Sequence, residues 1–168
     1  MKTWEQAIGD AVVTGAAASG ASALALSVMS RVEAGHAAAA LNGTSHWLWG
    51  DREAAAADEV SLRHTGVGAA THHASAYMWA VLHERFLGDF AERSVRNAVV
   101  AGLGTAAIAC AIDYTVTPKR LTPGFELRLS KPAMAVGFVA LGLGIAAASI
   151  RRQRSRETEE EAALWPAG

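Results

Sequence analysis

Pro132-Ala133-Met134-Ala135-Val136-Gly137-Phe138-Val139-Ala140-Leu141-Gly142-Leu143-Gly144-Ile145-Ala146-Ala147-Ala148-Ser149-Ile150 carries no charge, and Arg151-Arg152-Gln153-Arg154-Ser155-Arg156 follows at once. A helix over this run is apolar on every side. It lacks the polar stripe that a water-soluble bundle helix carries. Its length matches a bilayer core of about 30 Å at a rise of about 1.5 Å per residue. A chain of 168 residues holds too little other protein to bury such a helix all round. Lipid is therefore the expected solvent.

Working outward, Ala11 to Ser30 is also free of charge. Two further charge-poor stretches lie between these. The expected fold is all-α: a four-span transmembrane helical bundle, with spans at about 7–29, 65–87, 95–117 and 132–150. Thr3 and Gln6 have the spacing of a capping box at the first helix. The first segment starts as a helix rather than a basic run, and exceeds a signal-peptide core of about 7–15 residues, so it is expected to stay uncleaved. The loop from Arg31 to His64 contains an uncharged stretch ending in Trp47 and Trp49. Tryptophan favours the membrane–water boundary, so an interfacial or re-entrant helix is expected there. Thr122-Pro123-Gly124 reads as a tight turn. Residues 151–168 form a charged tail.

The totals exclude some classes. Charged residues make up 18% of the chain, below the usual soluble value of about 25%. Net charge is −1, which leaves no basic field for nucleic acid. Cys110 is the only cysteine, so there is no internal disulfide. With both termini on one side, Lys and Arg divide eight against seven across the two faces. The basic cluster after the last span puts the tail in the cytoplasm.

The polar residues within the apolar stretches are the candidates for function. Segment two contains His72, His73, Tyr77, Trp79, His83 and Glu84, and is expected to face other helices or water. His72 and His73 point about 100° apart on a helix, and His83 lies about 16 Å along the axis, so these cannot alone hold one metal. A metal at His72 or His73 would need groups from other segments, such as His46, His64, Asp10 or Asp113. Glu33-Ala34-Gly35-His36 is one Glu-x-x-His spacing, where a bundle di-metal site needs two. Hydrogen bonding across helices is the favoured reading of the histidines. A proton path and a metal or haem site remain open. Asp113 is the one carboxylate deep in segment three, to be paired with Lys119 or Arg120 or else used as a proton carrier with a histidine. Lys119, Arg120, Arg128 and Lys131 either anchor helix ends or touch lipid head groups. No nucleophile elbow or phosphate loop occurs, so catalysis is a minority reading. No cofactor is favoured.

Two patches carry a resemblance. One is Asn42-Gly43-Thr44-Ser45-His46-Trp47-Leu48-Trp49-Gly50-Asp51, with Leu62-Arg63-His64-Thr65 and His72-His73-Ala74-Ser75. The other is Asp113-Tyr114 with Pro118-Lys119-Arg120-Leu121-Thr122-Pro123-Gly124-Phe125-Glu126. Together they resemble a group of uncharacterised small polytopic bacterial inner-membrane proteins. The resemblance implies a multi-pass inner-membrane protein and no catalytic residue.

The expected function is a structural or accessory membrane component that associates with itself or with a larger complex through small-residue helix faces. His46, His64, His72, His73 and Asp113 are expected to form a polar cluster that fixes the bundle. A proton-coupled transporter or channel using that cluster is the first alternative. A haem- or metal-binding membrane protein is the second.

Overall fold

The computed structural model describes residues 1–164, and among them every regular element is helical. Four long helices form the body: α1 (Trp4–Glu33), α5 (Val67–Ala91), α6 (Val95–Thr115) and α7 (Lys131–Leu164). Between α1 and α5 lie three short ones, α2 (Ala39–Thr44), α3 (His46–Trp49) and α4 (Asp51–Ala55). A π-type turn, Leu62–Gly66, leads into α5, and 3₁₀ turns at Lys119–Leu121 and Phe125–Leu127 lie between α6 and α7.

Local chemistry sets the helix ends. The Thr3 hydroxyl accepts from the Gln6 N–H and the Gln6 side chain accepts from the Thr3 N–H, the reciprocal box the sequence implies. Ser94 accepts from the Asn97 N–H at the start of α6. Gly35, with φ +77°, follows the end of α1.

The long helices alternate in direction. α1 and α6 lie diagonally opposite, each packed between α5 and α7. Three of them, α1, α6 and α7, are long and apolar enough to cross a membrane. α5 is long enough, yet His72, His73, His83, Glu84, Arg85 and Asp89 lower its hydropathy. Of the four expected spans, three thus qualify by length and composition.

The interior is built from the smallest side chains. A Cβ on Gly102 would lie 2.3 Å from the Gly142 carbonyl oxygen, and one on Gly144 would lie 2.5 Å from that of Ala17. α7 therefore touches α6 and α1 at backbone distance, the contact that drives helix association in lipid. Much of the small-residue surface on these helices is thus used within the chain. Ala18, Ala76, Ala106, Leu141 and Ile145 fill the centre. Large apolar residues face outward instead: Val12, Leu24 and Val28 on α1, Val100 and Ile108 on α6, Val136, Val139 and Leu143 on α7. On α7, Lys131 to Arg151 spans about 30 Å at about 1.5 Å per residue, and both flanking side chains are exposed. The helix continues as an exposed charged arm to Leu164, and the tail residues 165–168 lie outside the described residues.

The two ends of the bundle differ. One end gathers the start of α1, the end of α5 and the charged part of α7. The other is roofed by α2, α3 and the α6–α7 loop. Asn42, in a glycosylation-type tripeptide, is fully buried there. Its amide donates to the Ala57 and Glu59 carbonyls, and its carbonyl accepts from Thr65. Gly124, at φ +83°, makes the tight turn and crosses Gly43, whose carbonyl oxygen would lie 2.5 Å from any Cβ at Gly124.

Candidate functional site

Two candidate sites occupy the two ends, one charged and one mainly apolar. At the open end, Lys2 precedes α1 and bends inward across Gly88, where an added Cβ would meet its Cε at 2.9 Å. Its ammonium donates to Asp10 Oδ2 at 2.6 Å, Glu84 Oε2 at 2.7 Å and Glu92 Oε1 at 2.6 Å. Thr14 donates to Glu84 Oε1 at 2.5 Å. Arg152 reaches across from α7 to Glu84, to Glu92 Oε1 at 2.8 Å and to the Thr14 hydroxyl at 3.0 Å. Arg156 pairs with Glu92 Oε2 at 2.7 Å. Three cations thus meet three carboxylates on four segments of chain.

The layer is a closed lock. Glu84 is fully buried, and the Lys2 and Glu92 side chains are only 5% and 2% exposed. Burial opposes the charge on Lys2, but bonds from Asp10, Glu84 and Glu92 outweigh it and hold its pKa above the ordinary 10.5. Burial likewise opposes the charge on Glu92, and bonds from Lys2 and Arg152 hold its pKa below 4.5. Oxygens of Asp10, Glu84 and Glu92 lie within 4.8 Å of one another, close enough to ligate a metal. The Lys2 ammonium already sits among them and supplies the positive charge.

The second site is a chamber of about 220 Å³ beneath the roof. Ser22 of α1, His72, Ser75, Ala76 and Trp79 of α5, Ala109 and Asp113 of α6, and Phe138 and Leu141 of α7 form its walls. Thr44, Trp47, Leu121, Pro123 and Phe125 close it. His72 is buried and meets Phe125 edge to face, with ring centroids 5.7 Å apart. Its Nε2 has no hydrogen-bond partner among the described residues. No hydrogen bond joins Ser75, His72 and Asp113, so no nucleophile–base pair is assembled.

The roof is pinned by residues from both resemblance patches. His46 Nδ1 bonds Asp51 Oδ1 at 2.8 Å, and its Nε2 bonds the Thr122 carbonyl at 2.9 Å. Trp47 Nε1 donates to the same carbonyl at 2.8 Å.

The expected polar cluster therefore divides. His72 and Asp113 meet in one chamber, and His46 belongs to its roof. His64 lies on the outer loop, bonded to Glu53 at 3.1 Å and Ser61 at 3.3 Å. His73 is exposed and does not line the chamber. His83 contacts the Thr105 hydroxyl at 2.9 Å, whose own proton goes to the Ala101 carbonyl, so Nδ1 of His83 is the donor. The compact group of ligand-type atoms among the described residues includes no histidine.

The loop cations are partly engaged. Lys119 and Arg120 are exposed, and the Arg120 guanidinium donates to the Trp47 carbonyl at 3.0 Å. Arg128 is drawn inward to the Ala55 carbonyl and to Asp58 at 2.5 Å, and this pair lowers the Asp58 pKa. Of the four loop cations, Lys119, Arg120 and Lys131 remain on the surface. The expected pairing of Asp113 with Lys119 or Arg120 does not form among the described residues. Sequence reasoning missed the lock, whose one signal was several ionisable residues near the predicted span ends.

Comparison with protein-family models, curated proteins and solved structures finds no match to the chain.

Proposed function

We propose that this is a multi-pass protein of a bacterial inner membrane, with α5 as a fourth crossing and the tail in the cytoplasm. It acts as a structural or accessory component, associating with itself or with a larger membrane complex. The observation that carries the reading is the lock. Three cations and three carboxylates are mutually paired across α1, α5 and α7, so the bundle is a fixed unit rather than a gated one. Outward apolar faces on α1, α6 and α7 support burial in lipid. α5 supports a fourth crossing because it runs between α1 and α6 for the depth of the bundle.

A partner fits the outer face of α1. Gly9 and Gly20 are exposed there, and a Cβ on either would meet nothing within 4 Å. Small outward residues let a neighbouring helix approach closely. Gly20→Ile leaves the interior untouched. In mild detergent, the wild type is expected to migrate above its 17.5 kDa chain mass, and Gly20→Ile to shift toward the monomer. A wild type that is monomeric in detergent and in nanodiscs would refute self-association. If Gly20→Ile migrates with the wild type, the interface lies elsewhere.

A further inference from the structure

The chamber combines features that the accessory reading leaves unused. Its walls are mainly aromatic and aliphatic, and its one carboxylate is Asp113. Among the described residues no cation pairs with that carboxylate. Arg120 is tied to the Trp47 carbonyl, and Arg128 to Asp58. Glu126 beside it accepts hydroxyl protons from Tyr114 and Thr122 and has no cationic partner among the described residues either. The acid end of the chamber is therefore short of positive charge.

Trp47, Trp79, Phe125 and Phe138 line the same space. Aromatic faces attract a cation through the ring quadrupole, and more strongly once water is excluded. An apolar cavity of about 150 Å³ already admits benzene, and this one is about 220 Å³. Met78 and Leu121 line the chamber and are also exposed, so it reaches the outer surface beside α5 under the roof. A molecule partitioned into the membrane can enter there.

We propose that this chamber binds a small organic cation, a compact apolar body bearing one ammonium group, with Asp113 as its counter-ion and the aromatic rings as its walls. The site is separate from the lock and from the outer face of α1. Its test does not depend on the accessory reading.

The probe is benzyltrimethylammonium, titrated calorimetrically into protein in nanodiscs, beside neopentylbenzene, which has the same shape without the charge. The expected result is saturable one-to-one binding of the cation, at least tenfold tighter than the neutral analogue. Asp113→Asn should weaken the cation at least tenfold and leave the neutral analogue unchanged. A second readout avoids substitution altogether. Carbodiimide labelling of Asp113, followed by mass spectrometry on wild-type protein, should slow when the cation is present. The proposal is overturned if the cation does not saturate, if the neutral analogue binds equally well, or if labelling of Asp113 ignores the cation. Thermal melting of Asp113→Asn by circular dichroism checks that the variant is folded.

Discussion

Glu84→Ala tests the lock most directly. The Glu84 carboxylate is fully buried and receives Lys2, Thr14 and Arg152. Removing it leaves the buried Lys2 ammonium and the half-buried Arg152 guanidinium facing only Asp10 and Glu92, with a void where the side chain was. Breaking a buried ion pair by deleting one partner typically costs about 3–5 kcal/mol, because the remaining charge stays desolvated. The Thr14 hydroxyl keeps the Asp10 carbonyl as an acceptor at 3.3 Å, so it adds little. The loss expected for Glu84→Ala is therefore about 4 kcal/mol. Glu159→Ala, on the exposed arm of α7, is the control and should stay within about 0.5 kcal/mol of wild type. The assay is SDS unfolding from mixed micelles, followed by far-ultraviolet circular dichroism. Pairing Glu84→Ala with Lys2→Ala completes a double-mutant cycle, and the two losses should be strongly non-additive. If Glu84→Ala unfolds at the same SDS fraction as Glu159→Ala, the lock contributes nothing and the reasoning fails.

The lock's own share of stability should hold across the middle of the pH range and fall at both ends. Glu92, held below 4.5, contributes fully above that value and loses its share as pH drops through its lowered pKa. Lys2, held above 10.5, contributes fully below that value and loses its share as pH rises through its raised pKa. A difference in SDS midpoint between wild type and Glu84→Ala that slopes between about pH 5 and 10 would count against the paired lock. Gly124→Ala places a Cβ at 2.5 Å from the Gly43 carbonyl oxygen in a left-handed backbone. It should loosen the roof by about 1–3 kcal/mol, seen as a shift in Trp47 emission; an unchanged spectrum and midpoint would refute the crossing. Liposomes holding the wild type should pass protons no faster than empty ones. Flux that Asp113→Asn abolishes would instead establish the transporter alternative.

The helices were largely readable from sequence, because charge-free runs of bilayer length and the Thr3–Gln6 pair are local signals. The helices overrun the expected spans at several ends: α5 starts after a π-type turn at Leu62–Gly66, and α7 continues past residue 150 to Leu164. Asp113 was readable as the isolated carboxylate of an apolar helix. The lock was not, because residues 2, 10, 84, 92 and 152 each look like an ordinary boundary charge until four segments of chain are brought together. His46 was flagged, but its role depends on Thr122, which sits 76 positions later in the chain. The small residues of α7 signalled close packing but not the partner. Gly142 and Gly144 meet α6 and α1 of the same chain.

The reach of Arg152 has a consequence for how the chain is made. Until α7 emerges, the α1–α5 pair sets Lys2 alone against Asp10, Glu84 and Glu92, an uneven balance at the membrane boundary. Arg152 and Arg156 restore neutrality, and they are among the last charged side chains to leave the ribosome before the acidic arm. Arrival of the final helix thus carries its own electrostatic proofreading. A chain halted before residue 152 is left with three carboxylates facing one ammonium at this end of the bundle.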